Sequence, residues 1–224
     1  MKILSIETSS EICAVALTED KKVIKEEILE NKNTHSVNLM PLVDKLLKET
    51  NTSLNEIDLF GCDIGPGSFT GIRIGVATIK AFLDSLNKKA VGVNSLDILA
   101  YNIKENGIIC SIIDAKNNNV YYGIYEYKNE TYIKIEMDFD NIENIINKIE
   151  QKYINKKIFF IGNGSKIYED MIKSKMKKED IIVDEKYNKL NARNIGFIAF
   201  ENREKCVESN ELIPVYLRKS SAEK

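Results

Sequence analysis

Three short strand patterns open the chain in immediate succession: Lys2 to Glu7, Ile12 to Thr18 and Val23 to Leu29. Only the turn-forming Ser9-Ser10 and Glu19-Asp20-Lys21 part them, so they read as consecutive hairpin strands. A helical pattern follows from Ser36 to Lys48. Ile57 to Ile64 then reads as a strand, Gly71 to Leu86 as a helix, Ala90 to Val93 as a strand, and Ser95 to Lys104 as a helix capped by Asn94 or Ser95. After Gly107 the order starts again. Ile108 to Ile113, Val120 to Tyr127 and Tyr132 to Met137 are strands, Asn141 to Tyr153 a helix, and Ile158 to Ile161 a strand. Ser165 to Lys175 is a helix, Ile181 to Val183 a short strand and Ala192 to Glu201 a final helix.

Two copies of βββαβα without sequence identity between them predict an α/β protein with a duplicated mixed sheet covered by helices. This is the ribonuclease-H-like arrangement of the actin-like ATPase and sugar-kinase superfamily. It divides the chain into an N-terminal lobe, 1–106, and a C-terminal lobe with its tail, 107–224. Topology constrains the fold more than the function.

Composition narrows the function. The 224 residues, 43% of them hydrophobic, suffice for a core without disulfide or metal staples. The 32 basic and 34 acidic residues leave a net charge of −2, against the basic excess of an autonomous nucleic-acid binder. Cys13, Cys62, Cys110 and Cys206 are far apart with no C-x-x-C spacing, as expected of buried thiols in a reducing compartment. The apolar stretch before Glu7 is too short for a signal peptide, and no run approaches the ~18 apolar residues of a spanning helix. A cytoplasmic protein without membrane contact is expected. His35 is the one histidine, so the usual multi-histidine or cysteine-rich metal sites cannot be assembled; it reads as a capping or interface residue. Neither a metal nor another cofactor is expected.

The most informative segment runs from Asp63 through Gly65-Pro66-Gly67-Ser68-Phe69-Thr70-Gly71 to Gly75, between a strand and a helix. Glycines at 65 and 67, followed by Ser68 at a helix start, could cradle a phosphate on outward-facing amides. The segment lacks the Gly-Lys-Ser/Thr ending of a P-loop and the G-x-G-x-x-G spacing, so a tight strand-to-helix turn explains it as well.

The helix behind this loop has two faces to bury. Ile72, Val76, Ile79, Leu83 and Leu86 form an apolar face for the sheet. Gly71, Ile74, Gly75, Thr78, Ala81, Phe82 and Ser85 form a second face of mostly small residues that invites another helix to approach. On the preceding helix Leu39, Met40, Leu42, Val43, Leu46 and Leu47 span an arc of about 160°, wider than the ~100° stripe of a one-sided helix. The surplus suggests a helical interface with a partner or a second copy, built on Leu39, Val43, Leu46, Gly71, Ile74, Gly75, Thr78 and Phe82. An arginine at Gly75 is expected to block it. Internal packing of the two surplus faces on each other is the competing reading.

At these residues the sequence resembles the TsaB family of bacterial tRNA threonylcarbamoyladenosine biosynthesis. Ile3 to Ser10 is similar to the family's opening strand, and Gly65 to Gly75 to its G-P-G-S-F-T-G-[IL]-R-I-G signature. Asn94-Ser95-Leu96, Ile113-Asp114-Ala115 with Val120-Tyr121, and Pro214 to Arg218 match in order, so the resemblance spans nearly the whole chain. It implies an actin-like fold and a role without chemistry of its own. The family's relative TsaD carries an iron-binding histidine pair and transfers the threonylcarbamoyl group to tRNA. TsaB binds and supports TsaD, with the ATPase TsaE joining them. The helix corresponding to the histidine-bearing one has only His35 here, with Leu39 one turn on. The implied partners are therefore a TsaD-like catalytic subunit, a TsaE-like ATPase, tRNA through the complex, and a second copy when the protein is alone.

Glu7 and Thr8 stand where an actin-like ATPase opens with D-x-G-[ST], but no glycine follows. With Gly65, Gly67 and Ser68, and with Gly162 and Gly164 of the later strand-to-helix turn, they are candidate vestigial phosphate or nucleotide contacts. Glu7 reads equally as a polar strand end, and the Gly162 to Ser165 turn needs no ligand. A stand-alone actin-like ATPase or small-molecule kinase is the alternative function. Lys173, Lys175, Lys177 and Lys178 could brush tRNA but read first as a solvated helix face.

Overall fold

The computed structural model describes residues 1–30 and 35–217; Arg218, the end of the family-like tail motif, lies outside the described residues. The chain forms two compact units, Met1–Ile98 with Leu190–Val215, and Leu99–Lys189 with the tail from Tyr216.

In the first unit β1 (Lys2–Glu7), β2 (Ile12–Glu19), β3 (Lys22–Glu30), β4 (Leu59–Asp63) and β5 (Ala90–Val93) form one sheet in the order β3-β2-β1-β4-β5. The hairpin strands are antiparallel, while β4 lies parallel to both β1 and β5. Helices cover both faces, which is why central β1 is buried at every residue from Ile3 to Glu7 rather than at alternate ones. α1 (His35–Glu49) and α2 (Phe69–Leu86) share a core with Leu4, Ile6, Val15 and Leu17 through Leu39, Val43, Leu46, Ile72, Val76, Ile79 and Leu83. Edge strand β3 carries Lys22, Lys25, Glu26 and Glu27, charges that discourage pairing with another sheet.

The second unit repeats the plan. β6 (Gly107–Asp114), β7 (Asn119–Lys128), β8 (Thr131–Asn141), β9 (Ile158–Ile161) and β10 (Ile181–Ile182) run β10-β9-β6-β7-β8. Subtracting five from each number reproduces the first sheet, so the duplication read from element order is present in the strand pairing. α4 (Ile142–Lys152) buries Ile142, Ile145, Ile146 and Ile149 against it.

Three expectations shift. α3 (Ser95–Ala100) stops short of Lys104, because the Tyr132 hydroxyl donates to the Tyr101 and Ile103 carbonyls (3.1 and 2.7 Å), groups a continuing helix would use. The helix expected from Ser165 to Lys175 is broken into α5 (Asn163–Ile167) and α6 (Glu169–Lys173). Tyr168 between them leaves helical geometry at φ −105°, its hydroxyl bonded to Asp114 at the end of β6 (2.9 Å). A division at 106/107 also differs from the units formed, because α7 (Ala192–Glu201) packs on β1 and β2 rather than on the second sheet. Ala192 joins Ile12, Ala14 and Ala16 in an apolar cluster there, and Val207 pairs with Ala90 at the edge of β5. Among the described residues no helix is long and apolar enough to cross a membrane.

Candidate functional site

The parallel register of β1 and β4 sets Ile6 beside Cys62, so the next residues, Glu7 and Asp63, leave the sheet together at the carboxyl ends of neighbouring strands, the position where open α/β sheets hold ligands. Both are fully buried, at 0% and 1% exposure. Asp63 Oδ1 accepts from the Gly65 amide (2.7 Å) and the Ser95 hydroxyl (2.7 Å). Its Oδ2 accepts from the Ser9 hydroxyl (2.8 Å), which stands 3.2 Å from both Glu7 oxygens. Glu7 Oε1 accepts from the Ser10 amide (3.1 Å) and hydroxyl (2.8 Å).

Burial, reinforced by the charge of Asp63 and the hydrogen bond to it, pushes the Glu7 carboxyl well above the usual carboxylate range. Burial also raises Asp63, opposed by its bonds from Glu7, Ser95, Gly65 and Ser9. Two carboxyls in one dry site cannot both ionise cheaply. Asp63, which accepts from the Gly65 amide and the Ser9 and Ser95 hydroxyls, is the carboxylate, and Glu7, raised by burial and by its bond to Asp63, is the acid that donates to it.

This arrangement fixes a sign. A carboxyl raised in the folded state stabilises the fold fully below the unfolded carboxylate range, and that stability is lost as pH climbs towards the raised folded value. Glu7→Gln keeps a donor to Asp63 and removes the titration. Urea midpoints at pH 5, 7 and 9 should therefore show the variant gaining on the wild type as pH rises. Parallel profiles would contradict a protonated Glu7.

The glycine loop closes over this pair rather than opening to solvent. The Ser68 amide donates to the Ser9 carbonyl (2.7 Å), the Ser95 amide to the Gly65 carbonyl (2.9 Å), and a Cβ on Gly67 would collide with the Ser9 carbonyl oxygen. Ser68 caps α2 by accepting from the Gly71 amide (3.3 Å). The amides of Gly65 and Ser68, candidates for a phosphate, thus serve the protein's own oxygens. Thr8 is occupied likewise, its hydroxyl donating to the Gly71 carbonyl (2.7 Å). In the second unit the Gly162 amide donates to Asn188 Oδ1 and the Ser165 hydroxyl to the Gly162 carbonyl (2.8 Å), while a Cβ on Gly164 would stand 2.5 Å from Ile112. That turn is packed onto β6.

The interface candidates divide in two. Leu39, Val43 and Leu46 lie in the first core, and Phe82 is buried with its ring stacked on Phe60 at 5.6 Å. Gly71 and Gly75 are buried against the end of β1, where a Cβ would collide with the Thr8 carbonyl oxygen from position 71 and meet Thr8 Oγ1 at 2.5 Å from position 75. Internal packing therefore accounts for these six, and an arginine at Gly75 would disrupt the fold before it could report on an interface. Ile74 and Thr78 remain half-exposed, continuous with exposed Ala77 and Ala81 on α2. On α1 Val37 is 70% and Met40 47% exposed, with Pro41 exposed beside them.

His35 is buried, its Nε2 2.9 Å from the Ser10 carbonyl oxygen, which ties the start of α1 to the serine turn. Of the lysine run, Lys173 and Lys175 pair with Glu169 and Glu150, and Lys177 caps the carbonyls of Tyr153 and Ile154. Cys13, Cys62 and Cys110 are buried and Cys206 half-buried. Asp63 and Ser95 are the site residues that sequence reading passed over. The available signal was the same at both strands: an apolar run, Ile3 to Ile6 or Leu59 to Cys62, ending in a carboxylate immediately before a turn.

Two five-stranded sheets of one topology, the first with carboxyls at the ends of β1 and β4, define a protein of the actin-like ATPase and sugar-kinase class. The activator of 2-hydroxyisocaproyl-CoA dehydratase from Clostridium difficile, solved with bound ADPNP, shares that fold at a TM-score of 0.54 and 9% identity, over 96% of this chain and 100% of its own. Within the class, the family model described as TsaD, tRNA N6-adenosine threonylcarbamoyltransferase, matches residues 22–224. The tRNA threonylcarbamoyladenosine biosynthesis protein TsaB of Bacillus subtilis (strain 168) is 30% identical over all of this chain and 96% of its own. YeaZ from Pseudomonas aeruginosa superposes with a TM-score of 0.80 at 25% identity, covering 96% of this chain and 99% of that one. The chain belongs to the TsaB family.

Proposed function

We propose that the chain is a non-catalytic subunit of the tRNA N6-threonylcarbamoyladenosine modification complex, which binds a TsaD-like catalytic subunit and favours its competent conformation. The observation that carries this reading is the closed carboxyl site. Phosphoryl transfer needs carboxylates able to reach metal and nucleotide, whereas Glu7 and Asp63 are buried and bond to the chain's own serines and loop. A stand-alone ATPase or kinase is correspondingly disfavoured. The second support is the exposed face of α1 and α2, where Val37, Met40, Ile74, Ala77, Thr78 and Ala81 offer apolar and small side chains suited to close helix approach. The same face would serve a second copy when the protein is alone, by near-symmetry with the partner. A TsaE-like ATPase and tRNA would join through the partner.

A subunit without reacting groups can raise the rate only through its differential affinity for the partner's states. A reaction reconstituted from TsaD, TsaE, ATP, the threonylcarbamoyl adenylate and unmodified tRNA should stall without this chain and recover on its addition. Recovery should be equal with Glu7→Gln. Full-rate modification in the chain's absence would overturn the reading, as would ATP turnover by the purified chain that Glu7→Gln abolishes.

A further inference from the structure

At the opposite end of the first sheet from the carboxyl pair, the residues entering β1, β4 and β5 surround a cavity of about 350 Å³ lined by Met1, Asp58, Lys88, Lys89, Arg203 and Cys206 among others. Its size is that of a small-ligand site. Its chemistry is cationic: the Lys88 and Lys89 side chains have no ion-pair or hydrogen-bond partner among the described residues. Arg203 is held in place by stacking over the Phe200 ring (4.8 Å) and by its Nη1–H on the Phe200 carbonyl (2.9 Å). Most of its five donors stay uncommitted, since its contact with Glu204 is 3.8 Å and that carboxylate is 89% exposed. Two acids line the cavity: Asp58, which accepts from the Lys2 amide (2.8 Å), and Glu204, whose carboxylate is the exposed one beside Arg203; the Met1 ammonium is held by Asp20 (3.0 Å). In a chain of net charge −2, a cleft presenting three cations to two acids is a local arrangement rather than a by-product of composition.

We propose that this cavity binds a phosphate-bearing anion. A fixed guanidinium supplies paired donors for phosphate oxygens and the two mobile ammoniums close on the remaining charge. The source is a free polyphosphate or the phosphodiester backbone of RNA. The proposal is independent of the α1–α2 face.

Cys206 supplies the readout. It lines the cavity and is the one cysteine not buried; burial lifts the Cys13 thiol to about 11 and raises Cys62 and Cys110 too. Alkylation of the full chain should therefore show one fast thiol. At matched ionic strength, saturating inorganic pyrophosphate or a short single-stranded RNA should slow that phase at least fivefold. Protection by pyrophosphate assigns a free polyphosphate, and protection by RNA alone assigns a phosphodiester backbone. The double variant Lys88→Glu/Lys89→Glu, whose side chains support nothing else in the fold, should keep the unprotected rate and thermal midpoint and need at least tenfold more ligand. No slowing by either probe, or equal protection in the double variant, would overturn the assignment.

Discussion

Gly71→Ala is expected to lower the stability of the protein by about 3 kcal/mol, the upper range for forcing an extra methyl into a packed site. The sign is what makes the substitution informative. In an exposed helix, glycine to alanine stabilises by roughly 0.5–1 kcal/mol. Here the added Cβ would collide with the Thr8 carbonyl oxygen, a backbone atom that cannot rotate away. Two bonds hold the two segments together, the Thr8 hydroxyl donating to the Gly71 carbonyl (2.7 Å) and the Ser68 amide to the Ser9 carbonyl (2.7 Å), and the Ser9 hydroxyl donates in turn to Asp63 at the end of β4 (2.8 Å). Relief of the clash must break that clasp. Urea denaturation should give a lower midpoint with an unchanged slope. A midpoint at or above that of the wild type would mean that the start of α2 does not rest on the end of β1.

The fold was legible because hairpin chemistry and element order survive in sequence even where identity between the two halves does not. β1, β5, β9 and α7 have the bounds expected of them, since each is an apolar segment between unambiguous turn residues. α3 and the α5–α6 break were not legible, because they are set by hydroxyls of Tyr132 and Tyr168, the first of them about thirty residues away in sequence. The small face of α2 was visible as a pattern, but a wheel cannot say what covers a glycine. The end of β1 does so here, which moves Gly71 and Gly75 indoors and leaves Ala77 and Ala81 outside. Leu39, Val43 and Leu46 went the same way: the wide apolar arc of α1 is wide because it fills the space between sheet and α2, with Met40 left at its margin. Glu7 was noticed for a missing glycine rather than for its partner, since pairing with Asp63 depends on the parallel register of β1 and β4, which no local pattern encodes.

Ala77→Arg is expected to abolish productive association with the TsaD-like subunit while leaving the fold intact. Ala77 is exposed on α2, and exchanging alanine for arginine on an open helix surface changes stability by only a few tenths of a kcal/mol. At the centre of an interface burying on the order of 800 Å² per partner, the same change leaves a long charged side chain where a helix should lie. A loss of at least a hundredfold in affinity follows, about 2.8 kcal/mol at 1.4 kcal/mol per tenfold. Gln151→Arg, on the exposed end of α4 in the second unit, is the matched control. The direct measurement is a titration of wild-type chain, Ala77→Arg and Gln151→Arg into TsaD, reading binding by calorimetry and threonylcarbamoylation in the same samples. Wild type and Gln151→Arg should bind and activate with one shared midpoint, and Ala77→Arg, folded by its thermal midpoint, should do neither. A folded Ala77→Arg that binds and activates at the wild-type midpoint would contradict the claim that this protein acts through the exposed face of α1 and α2.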